Sequence, residues 1–450
     1  MASWTIRSER VVLPGGMQPA TIAVEDGRIV EVTPGTSGAV RAGGTLIDAA
    51  GSVVIPGLVD THVHINEPGR TDWEGFLSAT RAAAAGGITT LVDMPLNCIP
   101  ATTTVEALEI KRAAARGQCH VDVGFWGGVV PGNEGDIGPL AEAGVLGYKC
   151  FLSPSGVDEF RHVSGADLER AAPMVAGTGL PLLVHAEWSA MLLEPPPDAD
   201  LRLYSTWLHS RPPAAEHAAV DLLIDLSART RLRAHIVHLA SADAVPHLIQ
   251  ARGRGVPVTV ETCPHYLAFC AEDIGAGTTA WKCAPPIRER DHRERLWTGL
   301  QNGHIDLVAT DHSPAPPATK DLHGGNFMAA WGGIASLQVS LPVMLTAARA
   351  RNIPIERLAA WMAMAPARLA GLDGRKGAIV AGYDADLVIV EAEREFTVDA
   401  SRLYHRHAVT PYDGARLSGV VAMTMVRGEI VFANGEIVGP PRGELLTRNR

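Results

Sequence analysis

The chain has 450 residues, 46% hydrophobic and 20% charged, with a formal net charge of −10. That length exceeds one ordinary compact domain, although an α/β barrel takes about 250 residues as a single unit. Without a basic stripe or a block of like charges, nucleic acid and anionic membrane are excluded as expected partners.

The first 56 residues read as short strands and turns, with Asp26-Gly27 as a hairpin signal between alternating apolar runs. MASWTIRSERVVLPGG holds no apolar signal-peptide core, and no apolar run reaches the ~18 residues of a membrane span. Six scattered cysteines do not form a disulfide framework in so long a chain. A soluble protein of a reducing compartment, the cytoplasm, is expected.

From residue 57 the pattern alternates. Strand-like runs fall at 58–64, 88–94, 121–130, 145–152, 180–187, 233–240, 256–266 and 304–313, separated by helix-period segments such as PAAEHAAVDLLIDLSART. Continuous apolar strands alternating with helices predict a parallel sheet covered by helices, and eight such units close most naturally into a (β/α)₈ barrel. The alternative, a doubly wound open sheet, calls for a glycine-rich phosphate turn after its first strand. Here that strand ends in His-Val-His. Past residue 373 the β-rich texture returns, with Asn434-Gly435 as a second hairpin turn. The expected organisation is a barrel over 57–373 and a small β-sandwich domain composed of 1–56 and 374–450, because neither end has enough strands to stand alone.

The polar residues of these runs sit at their C-terminal ends, which a barrel gathers around one mouth. His62 and His64 are two apart on the first strand and share a face; Lys149, His185, His238 and Asp311 follow near the ends of the fourth, fifth, sixth and eighth. One histidine at a strand end is usually a hydrogen-bonded structural group. Four histidines and an aspartate at matching depth point instead to a metal site, with room for a pair of ions. Lys149 cannot ligate as an ammonium. Beside metals its amine could be neutral and add carbon dioxide to form a bridging carbamate, while a Schiff base or an ordinary ion pair remain open. Cys263 with His265 resembles a metal pair only superficially, and His265 could equally orient a ligand or be structural.

With these motifs in place, the chain resembles the cyclic amidohydrolases, the family of dihydroorotases, dihydropyrimidinases (hydantoinases) and allantoinases. The resemblance implies two divalent metal ions per chain, usually zinc, with manganese or cobalt as alternatives, bridged by a carboxylated Lys149. It implies His62, His64 and Asp311 on one ion and His185 and His238 on the other. It also implies attack of an activated hydroxide on a ring amide, with Asp311 carrying the proton to the leaving nitrogen, and a homo-oligomer, a tetramer by analogy.

Three features discriminate among ring substrates. Dihydroorotases carry Arg two residues after the second His, where this sequence has Asn66; hydantoinases place Tyr five residues after the carboxylated lysine, where this sequence has Pro154. The blocks SGVDEF, SRPPAAE and WGGIASLQ are similar to those of the allantoinase branch. That implies a small neutral cyclic ureide, allantoin, opened to allantoate in purine degradation. Ser313 matches a substrate-binding serine of that branch. Asn97 is a further candidate contact, though an amide capping a turn reads the same way. A hydantoinase, a dihydroorotase-like enzyme and a non-catalytic scaffold are the alternatives; the last typically loses ligands that this sequence keeps.

Overall fold

A computed structural model describes residues 3–40 and 44–448. Eight parallel strand positions follow the eight apolar runs. Three form one sheet, Leu58–Val63, Ile88–Asp93 and Asp122–Phe125, and the others continue through Gly127–Gly128, Tyr148–Phe151, Leu182–His185, Ala234–Ile236, Val258–Thr262 and Leu307–Val308. Trp126 separates the two pieces of the third strand and donates its backbone N–H to Asp93 O at 3.0 Å. The ring closes where Val63 bridges His312 in parallel, with the His64 N–H donating to His312 O at 2.8 Å.

Every residue of Leu58–Val63 and of Ile88–Asp93 is buried, because helices cover the outer face while side chains fill the interior. A helix follows each strand, among them Phe76–Ala85, Val105–Ala115, Pro213–Thr230 and Arg290–Gln301 where the sequence period placed them. Gly165–Thr178 opens on a capping box, the Ser164 hydroxyl accepting from the Asp167 N–H and the Asp167 carboxylate accepting from the Ser164 N–H.

The strands are shorter than the apolar runs. The seventh run was expected over 256–266, but Pro264 starts a helix, Pro264–Ala268, since proline at a first helical position forfeits no hydrogen bond. The eighth ends at Val308, three residues before Asp311.

The terminal strands share one nine-stranded hydrogen-bonded sheet. Its central pairing joins Val53–Pro56 to Leu387–Thr397, one from each end of the chain, and both predicted hairpins are present. Asp26 and Gly27 (φ 51° and 79°) and Asn434 and Gly435 (φ 53° and 87°) are left-handed, as a two-residue turn with matching strand twist requires. Ile6, Ile22, Val24 and Val54 pack with Ile379, Leu387 and Met425 in one core. Among the described residues, no helix is long and apolar enough to cross a membrane.

Candidate metal centre and its cavity

All six candidate ligands converge at the C-terminal mouth of the barrel. His62 and His64 leave the first strand together, and their Nε2 atoms lie 3.2 and 3.4 Å from Asp311 Oδ1. His185 closes the fifth strand with Nδ1 2.9 Å from His238 Nε2, and the His62 and His238 rings are 5.3 Å apart. One ligand atom each from His62, His238 and Asp311 falls within a 4.8 Å group. His238 and Asp311 stand just beyond their strands in the left-handed region, φ 43° and 47°, which non-glycine residues adopt only under tertiary constraint. Those turns aim both side chains back over the barrel axis.

The rings are oriented from outside by carboxylates. Glu261 holds His62 Nδ1 at 2.5 Å with one oxygen and His235 Nε2 at 3.0 Å with the other. Glu187 holds His185 Nε2 at 2.7 Å and is itself bound by Arg211. A ring that donates outward to a carboxylate turns its other nitrogen lone pair inward, which is what a metal ligand needs.

Charge at the centre follows the same geometry. Burial disfavours a charged His62, but Asp311 and Glu261 outweigh it and raise that ring to about 9. Burial holds His64 and His185 below their ordinary value and His238 well below it. Burial alone would raise the Asp311 carboxyl, yet His62 and its hydrogen-bonded rings keep it well below the usual carboxylate range. The centre therefore sets an anionic aspartate among three rings that burial keeps neutral, with His62 holding a proton in the field of Asp311 and Glu261.

Lys149 lies in the same place, fully buried, its Nζ without a hydrogen-bond partner and 4.8 Å from the Phe151 ring centroid. Burial pushes it down to about 8, against the pull of Asp311 and Glu261. An orphaned buried amine, an orphaned His238 Nδ1 and five converging imidazole and carboxylate groups fit a metal centre. They fit a purely structural polar cluster poorly, since that would satisfy its own donors.

Above the centre opens a cavity of about 320 Å³. Asn97, Pro154 and Ser313 line it, as do Trp207, Lys282 and Trp331. Asn97 is left-handed (φ 64°), its Nδ2 3.5 Å from His64 Nδ1 and its Oδ1 free of partners. Asn66 does not line the cavity; its Nδ2 donates to Pro314 O at 3.3 Å. The cations of the wall are committed, Arg211 to Glu187 and Lys282 to the carbonyls of Met328 and Ala330. No free clamp for a substrate carboxylate stands among the described lining residues. The His265 ring makes no hydrogen bond, so it does not orient a ligand.

Sequence reading missed Glu261, Glu187, Arg211 and Lys282. One signal was available: the chain holds only five lysines, Lys111, Lys149, Lys282, Lys320 and Lys376, and all five are buried. A surface that draws its positive charge from arginine leaves each lysine as a marked position.

The amidohydrolase family profile matches residues 53–162 and 216–431. The chain belongs to the amidohydrolase family. This amidohydrolase is 50% identical over 443 residues, 98% of each chain, to an allantoinase of Streptomyces avermitilis. It is 44% identical to an allantoinase of Arabidopsis thaliana, over 98% of this chain and 90% of the other. Among solved structures, the L-hydantoinase (dihydropyrimidinase) of Arthrobacter aurescens superposes with a TM-score of 0.93 at 32% identity, covering 100% of both chains.

Proposed function

We propose that this amidohydrolase opens the ring of allantoin to give allantoate, in purine catabolism. The observation that carries the reading is the 50% identity over 98% of both chains to a protein named allantoinase. The site's chemistry agrees with it: a neutral, amide-rich ring suits a cavity whose cations are already committed.

In this reading His62, His64 and Asp311 would hold one divalent ion, His185 and His238 a second, and Lys149 would sit between them as a carbamate. Zinc is the metal we favour, with manganese or cobalt as alternatives. Such ions supply Lewis-acid polarisation of the amide carbonyl and an activated water near neutral pH. The low-lying Lys149 amine, buried and unpartnered, supports addition to carbon dioxide with loss of a proton. Asp311, anionic at neutral pH, takes the proton of the attacking water at a carboxylate oxygen and returns it to the departing ring nitrogen as the C–N bond breaks. Ser313 and Asn97 supply fixed polar contacts to the ring, and the enclosing loops exclude bulk water. Residues 1–56 and 374–450 act as one composite domain beside the barrel domain of 57–373, a division supported by the sheet their strands share. The six buried unpaired cysteines support a reducing compartment, the cytoplasm in our reading, and a homo-oligomer, tetrameric by analogy, is the assembly.

A second reading, hydantoinase, draws on the 0.93 TM-score to the Arthrobacter enzyme. Pro154 weighs against it, for it lines the cavity with no donor where hydantoinases place a tyrosine. Purified, metal-loaded protein assayed on allantoin, hydantoin, dihydrouracil and dihydroorotate separates the two. The highest kcat/KM is expected on allantoin; a higher value on hydantoin or dihydrouracil overturns the assignment.

A further inference from the structure

The five lysines divide by what neutralises them. Lys111 is paired with Asp93 at 2.5 Å, and Lys376 with Asp122 and Asp386 at 2.6 and 2.7 Å. Among the described residues Lys149, Lys282 and Lys320 have no carboxylate partner, and these three lie at or behind the cavity. Burying a cation without an anion is costly unless its donors are used. Lys149 belongs to the metal centre, which leaves two.

Both remaining lysines bind one segment. Lys282 Nζ donates to Met328 O at 3.1 Å and Ala330 O at 2.5 Å, and lies 4.2 Å from the Trp207 ring centroid. Its own carbonyl accepts from the Gly333 N–H at 2.8 Å. Lys320 Nζ donates to Gly333 O. The segment so gripped, 328–333, forms one wall of the cavity and carries Trp331, whose ring meets Trp73 edge-on at 4.9 Å. Two lysine side chains thus hold three carbonyls of this wall, those of Met328, Ala330 and Gly333.

We propose that Lys282, backed by Lys320, is a positioning residue that clasps the 328–333 wall over the cavity and thereby sets how tightly the substrate ring is enclosed. The role in turnover rests on the allantoinase reading; the clasp itself does not. Lys282→Met keeps the aliphatic stem and removes the donors, while Lys282→Arg restores them. In metal-loaded protein of unchanged thermal midpoint, Lys282→Met is expected to speed amide hydrogen exchange in 328–333 about tenfold or more, and to raise KM for allantoin about tenfold with kcat changed less than about threefold. Lys282→Arg should recover most of both. Unaltered exchange in 328–333 overturns the clasp, and so does a raised KM without faster exchange, since Lys282 would then be contacting substrate directly. Should Lys282→Met fail to fold, Lys320→Met, which frees only the Gly333 carbonyl, is read the same way. A wild-type protein inert toward allantoin would defeat the functional reading while leaving the exchange result to judge the clasp.

Discussion

Asp311 and Glu261 show how two carboxylates at one site divide the work. Asp311 faces the cavity within 3.4 Å of two imidazole nitrogens and is placed to move a proton; Glu261 stands behind His62 and never reaches the cavity lining. Asp311→Asn keeps the shape and removes the base, so kcat should fall by about 10²- to 10⁴-fold with the circular dichroism spectrum unchanged. Residual turnover above a tenth of wild type would remove the proton-shuttle role. Glu261→Gln should instead weaken metal retention, by roughly 10- to 100-fold in competition with a chelator, because His62 loses the partner that fixes its ring. Equal retention would mean that the ring is held by packing alone. Asp311 was legible as a strand-end carboxylate. Glu261 was not, since its meaning comes from a ring 199 residues away.

At the scale of elements, the eight strands were legible because parallel strands buried on both faces are continuously apolar. Their ends were not, since the same apolar character runs on into the loops. The sixth strand stops at Ile236 and the eighth at Val308, and the following residues turn left-handed to present His238 and Asp311. The enclosing loops were also only partly readable. Two stretches, 153–163 and the proline- and glycine-bearing 314–328, read as candidate lids in the sequence, whereas the wall of the cavity continues through Gly333. Gly333 has φ +122°, and a Cβ there would stand 2.4 Å from Ser313 O. Gly333→Ala must therefore displace either the wall or Ser313. A drop in kcat/KM of about tenfold or more is expected with metal content preserved; wild-type kinetics would show that neither element positions the ring.

At the scale of the whole molecule, the barrel and the terminal sheet are locked by a buried charge network. Lys376 Nζ lies 2.6 Å from Asp122 at the start of the third barrel strand, and 3.0 and 2.7 Å from Asp384 and Asp386 beside the sheet. Asp122, Asp384 and Asp386 alone would resemble a cation site, and the lysine is that cation. Lys376→Met leaves Asp386 without a cation, while Asp122 keeps Arg427 and Asp384 keeps Arg375, so we expect a loss of about 3–5 kcal/mol and a thermal midpoint lower by roughly 3–5 °C, with KM unchanged. A midpoint within a degree of wild type would show the network to be dispensable. Burial opposes the Lys376 charge, but the three aspartates raise it above its ordinary 10.5. Its contribution is thus whole from neutral pH up to 10.5 and is lost as the pH rises further. The period of the barrel, the two hairpins, the β-rich ends and six ligand-type residues near strand termini are legible in the sequence, because each depends on local spacing or backbone propensity. Which carboxylate orients which ring, where the wall of the cavity lies and why every lysine is buried become visible only in the folded chain. Those are facts of proximity between residues tens to hundreds of positions apart, which no local pattern encodes.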